Sequence, residues 1–196
     1  MGQLRTMLRM AGHDGTRSPA AVLSDVDLAC ATFGQTVFAT ALIARVGGPD
    51  GDWGAQDRAV TWSSAGHPPP LLVHRDGRVE VLAAPVGLPL GVDPRAGRPE
   101  HRVVVPPAAT LLLYTDGLLE QHGPVGKRPA VRGSGTVADG RDLDAGLARL
   151  TALLAECAGL ELEALCDRIT ADLLPAAGAA DDVALIAIRP LPGSGP

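Results

Sequence analysis

The sequence predicts an α+β fold in which helices are layered over a mainly antiparallel sheet. Three observations carry this prediction. Apolar residues keep helical spacing only near the two ends of the chain, the stretch between them alternates with period two, and one further apolar run returns after the last helix. Alternating βαβ units, which a parallel sheet requires, do not occur, and no internal repeat is present.

The first helix spans Met1 to Ala11, with Met1, Leu4, Leu8 and Ala11 on one face and no capping residue before it, so it reads as the remainder of a longer helix. Ser18 and Pro19 supply an N-cap and a first-turn proline for the second helix. It carries Val22, Val26, Ala29, Cys30 and Phe33 on its apolar face and ends at Gly34. From Thr36 to Val46 both faces are apolar, which predicts a central strand. Strands follow at Arg58 to Ala65, Leu71 to His74 and Arg78 to Leu82. The last two are joined through Asp76-Gly77, a pair suited to a two-residue type I′ hairpin.

Two more strands, His101 to Val105 and Thr110 to Thr115, flank Pro106 and Pro107, which fit a connection and not a ladder. Residues Gly123 to Gly140 are rich in Gly, Arg and Pro without periodicity, the composition of a flexible insertion. Asp142 is placed to cap a helix carrying Leu143, Leu147, Leu150 and Leu154. Another helix carries Leu162, Leu165, Cys166, Ile169 and Leu173 before Pro175. Val183 to Ile188, apolar on both faces, predicts a buried strand, and 190–196 a disordered tail.

At 196 residues the chain has room for one ordinary domain, read here as 1–189. The formal net charge of -5 gives no electrostatic footprint for a nucleic-acid partner. Cys30, Cys157 and Cys166 lack metal-ligand spacing and predict reduced core thiols in a cytoplasmic protein. No stretch approaches the roughly 18 apolar residues that span a bilayer, so no membrane partner is expected. The oligomeric state leaves no trace in the sequence.

Two acidic turns stand at opposite ends of two apolar strands: Asp116, after Leu111 to Thr115, and Asp181 with Asp182, before Val183 to Ile188. If those strands are antiparallel neighbours, the turns share one sheet edge. Carboxylates so close repel unless a hard divalent cation such as Mg²⁺ or Mn²⁺ neutralises them. Equally, Asp116-Gly117 reads as an Asx-capped turn and Asp181-Asp182 as solvated charge, and the residues alone favour that plainer account. His67, in a strand-to-turn corner before three prolines, reads as a structural hydrogen-bonding group, and neither Ser63 nor Ser64 lies in a nucleophile elbow.

Six stretches in order and spacing shift the balance: "FATALIARV" (Phe38 to Val46), "SAGHPPPLLVHRDG" (Ser64 to Gly77), "GLPLGV" (Gly87 to Val92), "LLLYTDGLLE" (Leu111 to Glu120), "LDAGLARL" (Leu143 to Leu150) and "DDVALIAIR" (Asp181 to Arg189). Together they resemble the SpoIIE and RsbU branch of the PPM, or type 2C, protein phosphatases, over nearly all of Met1 to Arg189. The resemblance implies an αββα sandwich holding two Mn²⁺ or Mg²⁺ ions. It also implies hydrolysis of phosphoserine or phosphothreonine on a regulatory protein, such as an anti-sigma-factor antagonist, by a metal-activated water.

Carried over by position, Asp116 and Asp181 match that family's two late metal ligands. Asp182 is the alternative for the second, and Gly117 leaves the turn beside Asp116 unhindered. The family's earlier acidic motifs have no counterpart here; "GGPDGDW" (Gly47 to Trp53) falls at the wrong place in the order, so Asp50 and Asp52 are not assigned. This departure predicts a domain cut short at its amino end, with strand faces left uncovered and a tendency to aggregate. It also raises the alternative of a catalytically inactive, degenerate phosphatase fold acting as a protein-binding regulatory module.

Overall fold

The computed structural model describes residues 2–13, 15–47, 58–85, 87–119, 140–174 and 182–190. In chain order, helices α1 (Gly2–Gly12) and α2 (Pro19–Thr32) precede strands β1 (Ala41–Val46), β2 (Arg58–Ala65), β3 (Leu71–Val73), β4 (Val79–Val81), β5 (His101–Val105) and β6 (Thr110–Tyr114). Then come helices α3 (Gly140–Glu156) and α4 (Leu162–Leu173) and strand β7 (Leu185–Ile188). Every strand ladder is antiparallel, and the fold class is α+β as the sequence predicts. The chain divides into two compact units, one built from Met1–Pro69 and Leu82–Ala109, the other from Pro70–Val81 and Thr110–Arg189.

In the first unit α1 and α2 pack together and α2 lies on a three-stranded sheet ordered β1-β2-β5. Helix α2 begins as its sequence dictates: the Ser18 hydroxyl accepts from the Ala21 N–H at 3.3 Å, and Pro19 opens the first turn. It ends in a Schellman arrangement, with Gly34 left-handed at φ 64° and the Gln35 N–H donating to the Cys30 carbonyl at 2.8 Å. Phe33, placed on the apolar face by spacing, is 69% exposed, because it caps the helix where the chain already turns away. One core cluster gathers Leu23, Ala65 and Leu90, with Leu4, Leu8 and Ile43 packed against it, and Val22, Val26, Val60 and Trp62 are also buried in this unit.

The second unit has a four-stranded sheet ordered β4-β3-β6-β7, covered by α3 and α4. Its core is almost wholly aliphatic: Leu71, Val73 and Leu112 from the strands meet Leu150, Leu154, Leu165 and Ile169 from the helices. These are the residues that period two and period 3.6 place on facing sides.

Four local expectations are corrected. The β3–β4 connection is a three-residue loop, because only Gly77 is left-handed (φ 88°), whereas a type I′ turn needs positive φ at Asp76 as well. The Gly77 N–H donates to the His74 carbonyl at 3.1 Å, and Asp76 accepts from the Arg78 N–H at 3.0 Å. Helix α3 starts at Gly140, so Asp142 lies inside it and is not its cap. Strand β1 is shorter than predicted and lies at the edge of its sheet among the described residues; every one of its positions is partly exposed, and Phe38 before it is 80% exposed. Strand β7 is likewise an edge strand, with Ile186 56% exposed. An apolar pattern reports which residues seek cover, not which neighbour pairs with them.

The predicted insertion lies outside the described residues apart from Gly140. So does the predicted tail apart from Pro190, which is buried.

Candidate functional site

Strands β6 and β7 are antiparallel neighbours, in the register Leu111↔Ile188, Leu112↔Ala187, Leu113↔Ile186 and Tyr114↔Leu185. This is the arrangement on which the two acidic turns depend. The pairing continues one residue further: the Thr115 N–H donates to the Ala184 carbonyl at 3.0 Å. The Thr115 hydroxyl donates to the Asp182 carbonyl at 3.0 Å and accepts from the Ala184 N–H at 2.9 Å. One threonine thus clasps the end of β6 to the lead-in of β7, and Asp116 and Asp182 flank that clasp at one sheet edge.

Asp116 opens a 3-10 turn, Asp116–Leu118, and is partly buried. Its Oδ1 accepts from the Gly117 N–H at 3.1 Å, the Leu118 N–H donates to the Thr115 carbonyl at 3.1 Å, and the Leu119 N–H donates to the Asp116 carbonyl at 2.7 Å. Gly117 is buried within this right-handed turn, and the side chains of Leu118 and Leu119 anchor it in the aliphatic core of the second unit. The carboxylate therefore stands on a turn fixed at both ends, which limits the entropy lost when a ligand binds.

Asp182 is exposed and sits three residues before β7. Asp181, matched by resemblance to the second late ligand, lies outside the described residues, as do Asp50 and Asp52. Among the described residues no group of three or more His, Cys, Asp or Glu side chains is arranged to hold a metal ion. The donors at this edge are carboxylate oxygens, the chemistry a hard divalent cation takes. Their type fits such an ion, and Asp116 and Asp182 are the described ligand candidates.

The remaining candidates are structural. Ser64 accepts from the His67 N–H at 3.1 Å and donates to the His67 carbonyl at 3.0 Å, closing the corner before the prolines, while His67 Nδ1 lies 3.3 Å from the Thr40 hydroxyl. Ser63 donates to the Pro99 carbonyl at 2.8 Å. Next to the candidate site, Tyr114 is buried and its hydroxyl makes no hydrogen bond among the described residues. Burial pushes its pKa well above the ordinary phenol range, so it stays neutral. Sequence reasoning passed over Thr115; the available signal was a hydroxyl-bearing β-branched residue where a strand gives way to an Asp-Gly turn.

The family model described as stage II sporulation protein E (SpoIIE) matches residues 1–190. The chain belongs to the SpoIIE family. Among solved structures it is similar to the RsbU and RsbW domains of a Mycobacterium tuberculosis protein, at 28% identity and a TM-score of 0.76, covering 100% of this chain and 48% of that one. It also resembles the SiaA-PP2C domain of Pseudomonas aeruginosa, at 18% identity and a TM-score of 0.59, over 95% of this chain and 67% of that one. A third likeness is to the SpoIIE phosphatase domain of Bacillus subtilis, at 12% identity and a TM-score of 0.50, over 98% of this chain and 75% of that one. The chain thus spans about half the length of the first of these, and its fold is that of the PP2C-type phosphatases. No helix among the described residues is long and apolar enough to cross a membrane.

Proposed function

We propose that this SpoIIE-family chain hydrolyses phosphoserine or phosphothreonine on a regulatory protein, of the class of anti-sigma-factor antagonists, with Mn²⁺ or Mg²⁺ bound at the β6–β7 edge. The observation that carries the reading is the antiparallel β6–β7 pair, clasped by Thr115, which delivers the Asp116 turn and the lead-in to β7 to one edge. A divalent ion held there supplies Lewis-acid polarisation of the phosphoryl oxygens and a bound water acidic enough to act as nucleophile near neutral pH. Asp116 and Asp181 are the proposed ligands, with Asp182 the alternative to Asp181.

The chain's own contribution is positional. Thr115 fixes the separation of the two strand ends, Gly117 steadies one carboxylate oxygen of Asp116, and Leu118 and Leu119 tie the turn to the core. The net charge of -5 argues against a nucleic-acid partner, the resemblance supports a protein substrate, and the free thiols of Cys30, Cys157 and Cys166 fit the cytoplasm.

Turnover of p-nitrophenyl phosphate and of a phosphoserine peptide, each measured with and without Mn²⁺, tests the reading. The wild-type protein is expected to require the ion, and Asp116→Asn to lose activity at least ~100-fold, as removal of a metal-bound charge-stabilising group does. Undiminished turnover in Asp116→Asn ends the ligand assignment. Phosphopeptide binding without turnover in the wild type selects the binding-module alternative instead.

A further inference from the structure

We infer that Gly146, within α3, is a positioning residue for the candidate site: its lack of a side chain lets the helix close on the main chain of Leu119 and thereby sets the turn that presents Asp116. The inference rests on the reading of Asp116 as a metal ligand.

Glycine inside a helix is locally unfavourable, by about 1 kcal/mol relative to alanine. Gly146 nevertheless sits seven residues into α3, buried, one turn before the fully buried Leu150. Its neighbour is not a side chain but a backbone. A Cβ at position 146 would lie 2.9 Å from both the carbonyl carbon and the Cα of Leu119, and closer still to the Leu119 carbonyl oxygen. Ordinary carbon contacts need about 3.5–4.0 Å, and a main-chain obstacle has no rotamer by which to step aside.

Leu119 closes the turn through its 2.7 Å hydrogen bond to the Asp116 carbonyl. Its side chain and that of Leu118 are already sunk in the aliphatic core. On the other side, Thr115 is clasped to Asp182 and Ala184. The Asp116 turn is therefore held between the lead-in to β7 and the bare surface of α3, and displacement of Leu119 is transmitted through one hydrogen bond to Asp116. In the sequence this role is visible only as a glycine interrupting the leucine stripe of "LDAGLARL".

The test uses the isotopically labelled 196-residue chain and Mn²⁺ alone, read as paramagnetic broadening of the Asp116 and Gly117 amide signals. Gly146→Ala is expected to raise the Mn²⁺ concentration for half-broadening roughly 10- to 100-fold, the range seen when a ligand's supporting contacts are removed. It should also speed hydrogen exchange at the Leu119 amide. Leu154→Ala, two turns further along α3, should lower stability and speed exchange throughout the unit without moving the Mn²⁺ concentration for half-broadening.

Broadening that is lost in Asp116→Asn but unchanged in Gly146→Ala overturns this inference and leaves the metal reading standing. Broadening absent at Asp116 in the wild type overturns both. Should Gly146→Ala not fold, exchange in the wild-type chain decides: the Leu119 amide is expected to be as protected as the central amides of α3, and exchange there tenfold faster overturns the inference.

Discussion

The two units of this molecule solve the same packing problem by different means. In the second, leucines from α3 and α4 meet leucines and valines from the sheet, and Thr110, its hydroxyl accepting from the Arg189 Nε–H at 2.9 Å, is the buried polar residue among those described. In the first, buried apolar residues such as Leu23, Val26, Val60, Trp62 and Leu90 are joined by a buried charge. Asp27, on α2 and 1% exposed, accepts from the Gly91 N–H at 2.7 Å and pairs with the Arg98 guanidinium, whose side chain is 2% exposed and which also donates to the Leu88 carbonyl at 2.9 Å. The stretch from Leu88 to Arg98 has no regular strand or helix of its own, so this buried carboxylate adds a polar anchorage to the apolar one that Leu90 provides. The close passage of Gly91 past the Val37 carbonyl, at φ 87° and with no room for a Cβ, belongs to the same anchorage.

Removing one partner of a buried pair leaves the other charged and desolvated, and this is where the contrast breaks most sharply. Asp27→Ala is expected to cost about 3–5 kcal/mol in chemical denaturation. Replacing both partners by apolar residues of similar volume, Asp27→Leu with Arg98→Met, should recover most of that loss. If the double variant is no better than the single one, the hydrogen bonds to Gly91 and Leu88, and not the charge pair, do the anchoring.

The corresponding cut in the second unit is Leu154→Ala. Leu154 is fully buried among leucines, and truncation there is expected to cost roughly 3 kcal/mol, within the 2–5 range for core leucines. No charge is left stranded by it, so this loss should be insensitive to salt. A salt-dependent loss would mean that the aliphatic core is coupled to charges not recognised above.

The same contrast explains what could be read in advance. The second unit was legible because its logic is local and periodic: the leucine stripes of α3 and α4 placed Leu150, Leu154, Leu165 and Ile169 where they are found. The β6–β7 pairing meets the condition that the two acidic turns set, so the turn carrying Asp116 lies beside the lead-in to β7. Strands β2 and β5 match their predicted ends because polar or proline-rich residues bound them. The Asp27–Arg98 pair spans 71 positions and leaves no periodic mark; Asp27 reads as an ordinary polar residue beside an apolar helix face. Thr115 and Gly146 stayed hidden for a related reason, since each acts on main chain brought to it by folding and not by sequence proximity.

The smallest expected effect concerns the connection between β5 and β6. Pro106 and Pro107 were expected to form a connection, and the Ala109 N–H does donate to the Pro106 carbonyl at 3.1 Å. That makes Ala108 the third residue of a turn, where its φ is 64°, the one left-handed non-glycine among the described residues. Proline at the second position and left-handed geometry at the third define a type II turn, which favours glycine at the site Ala108 occupies. A methyl group there costs about 1–2 kcal/mol, and a glycine's larger unfolded-state entropy returns about 0.5–1 of that. Ala108→Gly is therefore expected to stabilise by about 0.5–1 kcal/mol and to raise the thermal midpoint by a few degrees. Ala108→Pro, whose ring enforces φ near -65°, should lower it. A midpoint that falls in the glycine variant would show that the chain gains more freedom when unfolded than it sheds in strain, and that the crossing between β5 and β6 holds its shape without cost at this residue.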